Sequence, residues 1–227
     1  MRTLVRIIWF PPDVLGVRGS SGKRSRWVRQ PILFVTKSEL RAIMRAGRRR
    51  FVEERGSNCF SSDLLSSIFN KYIKNKDKIV SSYCATRFEC DVNPALLVGI
   101  GGEIRLALPW GNSKAEPIIF RRWNPGDASE TSALGFDQPR ESAPEVAPDL
   151  ILTPLLGFDR SLQRLGQGAG HYDRAFTQFP DALRIGLAWS CQEVDEVPVD
   201  PWDVPLDAVL TEREWIVVAS SRLEELR

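Results

Sequence analysis

A glycine-rich run at residues 164–173 has the residue types and spacing that point most directly to chemistry. Gly166, Gly168 and Gly170 occupy alternate positions, which lets the backbone turn tightly and leaves its amide N–H groups uncovered by side chains. Because the run joins a predicted strand to a predicted helix, these amides and the positive end of the helix dipole would face the same anion. The run therefore predicts a phosphate-binding loop, and a purely structural turn stays open as the alternative.

Two charged residues frame this run. Arg164 can donate paired hydrogen bonds to phosphate oxygens, and Asp173 can hold a divalent metal ion. Phosphoryl transfer uses this combination of cations, uncovered amides and a metal-binding carboxylate. A surface ion pair with Arg174 is the alternative role for Asp173. His171 is the only histidine, so any essential imidazole must be this one, although hydrogen bonding or packing is the commoner role of a loop histidine.

Two further groups are candidates for ligand binding. Glu89 follows the end of a predicted strand, the edge at which open α/β sheets bind ligands, and its carboxylate could recognise the amine or amide edge of a heterocycle. One face of the helix predicted from residue 37 is basic, and its members are Lys37, Arg41, Arg45 and Arg48. For both groups the alternative is a solvated surface position.

The composition is that of an ordinary globular protein. Of the 227 residues, 43% are hydrophobic and 26% are charged, and no apolar run approaches the roughly 20 residues that cross a bilayer. We therefore expect a soluble protein with no membrane partner. The four cysteines form no CxxC pair and no zinc-like spacing with His171, which favours free thiols in a reducing compartment.

Residues 1–36 differ from the rest of the chain. They carry seven basic residues and one acidic residue, Asp13. The composition resembles that of a transit peptide, but Pro11, Pro12 and Pro31 interrupt an amphipathic helix. We expect a disordered extension, or a start codon set too far upstream, followed by a single domain over residues 37–227. Nucleic-acid binding by the arginine-rich first 50 residues is an alternative that their few aromatic side chains disfavour.

Helices and strands alternate along the part of the chain that would position these residues. We predict helices from residue 37, after the Ser61-Ser62-Asp63 cap, after Asn93-Pro94 and over residues 169–179. We predict strands at residues 78–84, 104–108, 117–120, 149–153, 183–189 and 206–210, and a long surface loop at 124–148. This order indicates an α/β fold with helices on both faces of a sheet.

Two separated motifs are similar to those of a known family. They are Thr153-Pro154-Leu155-Leu156-Gly157-Phe158-Asp159 and the run RLGQGAGHYDR at residues 164–174, and a KxxLR opening stands at residues 37–41. Over residues 37–215 the chain resembles the 5-formyltetrahydrofolate cyclo-ligases, also called methenyltetrahydrofolate synthetases. Two positions depart from the family pattern: Ala169 stands where glycine or lysine is common, and His171 where tyrosine is common.

The resemblance implies a fold and a reaction. The fold would be a three-layer α/β/α sandwich with a mostly parallel sheet, like that of ribose-phosphate isomerases. The reaction would use ATP and Mg²⁺ to close 5-formyltetrahydrofolate to 5,10-methenyltetrahydrofolate, through an imidoyl phosphate, with release of ADP and phosphate. A nucleotide- or folate-binding regulatory protein that has lost turnover is the alternative.

The resemblance also implies roles for individual residues. Those at the ATP site would be Lys37, Arg41, Arg164, Leu165, Gly166, Gln167, Gly168, Ala169, Gly170, His171 and Tyr172. Those at the folate site would be Cys84, Glu89, Gln167, Gly168, Ala169, Gly170 and His171. Arg164 and His171 are the catalytic candidates, and Asp173 and Asp207 are the candidates for binding magnesium.

The same resemblance bears on partners and location. It implies small-molecule substrates and no nucleic acid, and we expect a monomer. We expect the protein in the cytoplasm, or in the mitochondrion if residues 1–36 are a genuine transit peptide.

Overall fold

The structure is a computed structural model that describes residues 3–6, 32–56, 78–92, 104–113, 115–219 and 222–225. Within these ranges the helices are α1 Lys37–Arg55, α2 His171–Gln178 and α3 Arg222–Glu225, with a short 3-10 helix at Ser190–Gln192. The strands are β1 Thr3–Arg6, β2 Ile32–Val35, β3 Ile79–Ser81, β4 Arg105–Trp110, β5 Ile119–Arg122, β6 Ser129–Thr131, β7 Asp137–Pro139, β8 Leu150–Pro154, β9 Gly157–Phe158, β10 Arg164–Leu165, β11 Leu183–Leu187, β12 Ala208–Leu210 and β13 Trp215–Ile216.

A seven-stranded sheet forms the centre, in the order β13-β12-β11-β8-β3-β4-β5. The five inner strands run parallel, and the two edge strands pair antiparallel with them. The prediction of an α/β fold with a mostly parallel sheet is confirmed. The three-layer arrangement and the likeness to ribose-phosphate isomerases stay predictions, because the helices predicted after Ser61-Ser62-Asp63 and Asn93-Pro94 lie outside the described residues.

Strand β8 shows how the sheet is buried on both faces. Ile151 packs in the apolar cluster that contains Phe176 of α2, while Leu150 and Leu152 pack with Val80 in a cluster on the other face. Alternate side chains of a strand point to opposite faces, so a continuous apolar run is what a doubly covered strand requires. Of the helices within the described ranges, not one has the length and apolarity needed to cross a bilayer.

Thr36 caps the start of helix α1: its hydroxyl accepts the Glu39 amide, and the Glu39 carboxylate accepts the Thr36 amide. This capping box satisfies two backbone donors that the first turn would otherwise leave open. Leu40 and Met44 pack with Leu156 beyond the carboxyl end of β8. The helix therefore lies at the edge of the sheet where the parallel strands end, and its start is held there.

Several strands lie where the sequence predicts none, among them two antiparallel pairs. The predicted loop at 124–148 contains an antiparallel hairpin of β6 and β7, so that prediction was wrong over these strands; their short polar sequences lack the apolar alternation that marks a strand. Strands β1 and β2 also pair antiparallel, with Thr3 opposite Val35, inside the segment expected to be disordered. These two four-residue strands therefore have regular backbone.

Candidate functional site

A pocket of about 790 Å³ opens at the carboxyl ends of the parallel strands. Tyr83 after β3, Pro109 of β4 and Pro154 of β8 line it, and α1 contributes Lys37 and Arg41. Its volume is in the range of small-molecule sites. The pocket is where an open α/β sheet is expected to bind a ligand, and the glycine-rich run from Gly166 to Gly170 forms part of its wall.

The basic face of α1 contacts the glycine-rich loop. Arg41 Nε donates to the Gly166 carbonyl at 3.0 Å, and Arg45 donates to the Gln167 side-chain oxygen at 2.9 Å and 3.2 Å. These residues are more than 120 positions apart in the chain. The structure thus joins the two separate basic and glycine-rich segments into one wall of the pocket.

Two glycines of the loop lie against arginine side chains. A Cβ at Gly166 would lie 2.7 Å from Arg164 Nη1, so a side chain there would displace the guanidinium. Gly168 has φ +112° and would place a Cβ 3.4 Å from Arg41 Cζ, a conformation that residues with a side chain rarely adopt. The loop is therefore shaped around two arginines, one on each side.

Arg164 and Asp173 form a largely buried ion pair. Arg164 Nη2 lies 2.8 Å from Asp173 Oδ1, with the side chains only 5% and 14% exposed. The guanidinium also lies over the rings of Tyr172 and Phe176, at 5.8 Å and 5.6 Å. Arg164 and Asp173 both line the pocket. The partner of Asp173 is thus Arg164 and not Arg174, and Arg164 is held toward the carboxylate rather than standing free for a phosphate.

His171 is the first residue of α2 and lines the pocket. Its Nδ1 lies 3.1 Å from Nη2 of Arg174, whose Nη1 donates to the Ala169 carbonyl at 2.9 Å. An arginine can only donate, so Nδ1 accepts and the ring hydrogen lies on Nε2. In this form Nε2 carries the hydrogen of the ring, and Nδ1 is occupied by the bond from Arg174.

Glu89 lies in the pocket wall with both carboxylate oxygens bonded. Its Oε1 is 3.4 Å from Arg48 Nη1, and its Oε2 accepts the Thr86 amide at 2.9 Å. Arg48 also donates to the Leu155 carbonyl at 3.3 Å, and its side chain is 7% exposed. Of the four basic residues on the α1 face, Arg48 is therefore not solvated, and it orients Glu89. Sequence reasoning did not link these two residues.

Cys84 lines the same region of the pocket. Burial raises the pKa of its thiol to about 11, and the negative charges of Asp137 and Asp91 add to that shift. The thiol is therefore neutral at physiological pH and acts as a small polarisable wall. Among the described residues, Cys84, Cys90 and Cys191 are free.

The acidic loop near residue 200 contributes residues that the sequence analysis missed. Lys37 Nζ lies 2.5 Å from Asp200 Oδ2 and 2.5 Å from Asp203 Oδ2, and the Val204 amide lies 3.4 Å from Asp173 Oδ1. Asp200 and Asp203 both line the pocket. The sequence signal that could have indicated them is a pair of acidic residues three positions apart, in a loop that leads into a strand.

Asp207 is the one predicted site residue that the structure takes away from the pocket. It precedes β12 and so lies at the amino edge of the parallel strands, opposite the pocket. Its two oxygens accept hydrogen bonds from Arg184 and Arg222. Burial alone would raise the pKa of Asp207, but the bonds from Arg222 and Arg184 outweigh it and hold that pKa below its ordinary value. The prediction of a magnesium ligand here is therefore corrected.

Asp173 and Asp203 are the carboxylates that fit a magnesium ion. Both line the pocket, and the Val204 amide links their segments. Within the described ranges, no three or more His, Cys, Asp or Glu side chains form a ready metal cluster. Mg²⁺ commonly takes one or two carboxylates together with phosphate oxygens and water. The donor set thus suits an ion held jointly by the protein and a phosphorylated ligand.

The tip of the β6–β7 hairpin forms a further part of the wall. Leu134, Gly135 and Phe136 line the pocket. The hairpin is held to the end of β4 because Gln138 accepts the Gly111 amide at 3.0 Å. These residues were also missed, since they stand in a segment that the sequence predicts only as a surface loop.

Comparison with known proteins identifies a single family. The sequence profile of the 5-formyltetrahydrofolate cyclo-ligase family matches residues 34–212. The 5-formyltetrahydrofolate cyclo-ligases of Haemophilus influenzae and Escherichia coli K12 are 34% identical over 99 residues and 36% identical over 100 residues, each covering 41% of this chain. These matches span 53% and 55% of the two relatives, so about half of their length.

Longer matches cover most of the chain. A probable 5-formyltetrahydrofolate cyclo-ligase of Caenorhabditis elegans is 28% identical over 200 residues, which is 80% of this chain and 95% of that protein. The solved structure of Aquifex aeolicus 5,10-methenyltetrahydrofolate synthetase is 30% identical, with a TM-score of 0.65 over 83% of this chain and 95% of that one. The Mycoplasma pneumoniae 5,10-methenyltetrahydrofolate synthetase, 23% identical with a TM-score of 0.58 over 79% of this chain and 100% of its own, shares the fold.

Proposed function

The chain belongs to the 5-formyltetrahydrofolate cyclo-ligase family, and on that premise we propose that it closes 5-formyltetrahydrofolate to 5,10-methenyltetrahydrofolate with ATP and Mg²⁺. One observation carries the proposal. A single pocket has Lys37, Arg41 and the glycine-rich loop in its wall together with Cys84 and Glu89. Cations and uncovered amides suit a nucleotide, and a fixed carboxylate suits the amine and amide edge of a pterin, so one pocket would hold both substrates.

The nucleotide phosphates would be bound by α1 and the glycine-rich loop. Lys37 and Arg41 supply positive charge, and the loop between Arg164 and α2 supplies amide donors. Asp173 and Asp203 would hold Mg²⁺, which neutralises charge on the β- and γ-phosphates when bound. Arg164 positions Asp173 through their 2.8 Å ion pair. The protein's work in this half of the reaction is therefore charge neutralisation and alignment.

The folate would be bound at Glu89. Each carboxylate oxygen has a second lone pair beyond the bonds from Arg48 and the Thr86 amide, so Glu89 can accept from the pterin without losing either. Arg48 holds the carboxylate in this orientation. Cys84 and the hairpin tip at Phe136 supply neutral surface for the ring.

The two substrates would meet at residues 167–171. The formyl oxygen attacks the γ-phosphorus and ADP leaves, which gives an imidoyl phosphate. N10 then bonds to the formyl carbon, the carbon–oxygen bond to phosphate breaks, and the N10 proton is released. His171, protonated on Nε2 because Arg174 donates to Nδ1, would donate a hydrogen bond to a phosphate oxygen. No covalent enzyme intermediate is needed.

The family profile supports a single catalytic domain that begins near residue 37, since it starts at residue 34. The pocket residues run from Lys37 to Asp203, so the profile covers the whole site. The free thiols of Cys84, Cys90 and Cys191 support a reducing compartment such as the cytoplasm.

The proposal is tested by mixing the purified protein with 5-formyltetrahydrofolate, ATP and Mg²⁺. We expect the methenyl absorbance to rise with an equal amount of ADP formed. Asp173→Asn should lower kcat by about 1000-fold, because the variant loses the charge that holds the metal. Asp181→Asn, which changes an exposed aspartate between α2 and β11, should leave kcat unchanged. Nucleotide binding without product would replace this proposal with a binding protein that lacks turnover.

A further inference from the structure

Trp202 is an exposed aromatic side chain in the pocket wall. Among the described residues, the large apolar side chains with high exposure are Val199 at 56% and Trp202 at 69%, and both lie on the same loop. Of these two, Trp202 lines the pocket. An indole left in water forgoes the stabilisation that its burial would bring, and at a pocket mouth a ligand can supply the missing cover.

A tight turn holds Trp202 in this position. The Asp203 amide donates to the Asp200 carbonyl at 3.0 Å, and the Asp200 amide donates to Asp203 Oδ2 at 2.8 Å. Pro201, at the second position of the turn, restricts the backbone further. Lys37 then ties both aspartates to the start of α1. The tryptophan therefore stands on an ordered support rather than on a loose loop.

The residues next to Trp202 indicate whether its indole would lie against the nucleotide base or against the pterin. In the sequence, Trp202 stands between Asp200 and Asp203, which both contact Lys37. The amide of Val204, the residue after Asp203, contacts Asp173. This is the side of the pocket with the cations and the metal-binding carboxylates. Glu89 belongs to a different segment, after β3. The planar group attached to a phosphate chain is the base of a nucleotide.

We propose that the nucleotide base stacks on the indole of Trp202 when the phosphates are bound at Lys37 and the glycine-rich loop. The inference rests on the nucleotide part of the proposed function. Aromatic stacking on a base tolerates different bases, so Trp202 contributes affinity for the purine ring as a whole and little discrimination among purines.

Calorimetric titration of the purified protein with ADP and with tripolyphosphate tests the inference, because only ADP has a base. Trp202→Ala should weaken ADP binding by about tenfold and leave tripolyphosphate binding unchanged. Trp202→Phe, which keeps an aromatic face, should restore most of the ADP affinity. Val199→Ala removes exposed apolar surface from the same loop outside the pocket and should change neither ligand.

Three outcomes would overturn the inference. An unchanged ADP affinity in Trp202→Ala means that the base lies elsewhere. Equal weakening of ADP and tripolyphosphate means that the substitution disturbed the phosphate site through the turn. Weaker binding of 5-formyltetrahydrofolate with intact ADP binding assigns the indole to the pterin. Because ADP binding is measured without turnover, a protein that forms no methenyl product can still pass this test, and the two proposals fail separately.

Discussion

The half-buried Asp173 and the buried Asp207 lie at opposite edges of the same sheet, and each is paired with arginine. At the carboxyl edge, the Asp173 side chain accepts hydrogen bonds on Oδ1 from Arg164 and from the Val204 amide. At the amino edge, Asp207 accepts five hydrogen bonds on its two oxygens from Arg184 and Arg222. The first carboxylate lines a pocket, whereas the second ties α3 to the sheet.

The comparison shows that the charged residues around a carboxylate decide its role as much as its burial does. The oxygens of Asp207 already accept five hydrogen bonds from Arg184 and Arg222, and the two guanidinium groups beside it would repel a metal ion. Asp173 has one arginine and two further acids in the same pocket wall, Asp200 and Asp203, which Lys37 partly neutralises. Of the two, only the arrangement around Asp173 favours a cation.

The largest expected effect that separates the two aspartates is on stability. Asp207→Asn should lower the free energy of unfolding by about 3 kcal/mol, because the buried carboxylate loses its charge and the half-buried Arg184 and Arg222 lose their shared anionic partner. Urea unfolding measures this loss. Activity per folded molecule at 25 °C should be kept, since Asp207 lies across the sheet from the pocket. A variant with normal stability and no activity would contradict this assignment and return Asp207 to the site.

The next effect concerns magnesium. Asp203→Asn should raise the Mg²⁺ concentration needed for half-maximal activity by about 30-fold, because the pocket loses a carboxylate whose neighbour, the Val204 amide, contacts Asp173. Asp200→Asn is the matched control, since it also releases Lys37 but is not linked to Asp173. A shift of the same size in both variants would assign the effect to Lys37 and remove Asp203 from the metal site.

The smallest effect is on stability in acid. Hydrogen bonds from Arg222 and Arg184 outweigh burial and hold the pKa of Asp207 below its ordinary value. Its contribution to stability is therefore complete above the unfolded-state pKa of about 3.9, and it is lost as the pH falls through the lower folded-state pKa. Urea unfolding over this range should show a steeper loss of stability in the wild type than in Asp207→Asn. Parallel pH profiles would show that the cluster does not set acid stability.

The features that the sequence predicts well are local. The apolar stripe of α1 and the glycine-rich run leave their signal within one or two turns of chain. The contact of Lys37 with Asp203 joins positions 166 apart, and that of Arg48 with Glu89 joins positions 41 apart. Such pairs depend on strand order and on the angle at which α1 crosses the sheet edge, which periodicity does not specify.

The error at Asp207 had a readable cause. In a parallel sheet, a residue that precedes a strand lies at the amino edge, and a residue that follows one lies at the carboxyl edge. Asp207 stands immediately before β12, so its position in the chain already excludes it from a site at the carboxyl edge. Asp203 is only four residues earlier in the chain, but the loop between the two aspartates is long enough for Asp203 to reach the pocket at the carboxyl edge.

The bond between Lys37 and the turn at Asp200 and Asp203 also bears on biosynthesis. The two sides of this contact are 163 and 166 residues apart, so a ribosome translates α1 long before it reaches the partners of that helix's first residue. Closing so large a chain loop is slow unless the intervening sheet has already formed. The phosphate wall of the pocket is consequently assembled late, and a nascent chain that ends before Asp200 cannot complete it.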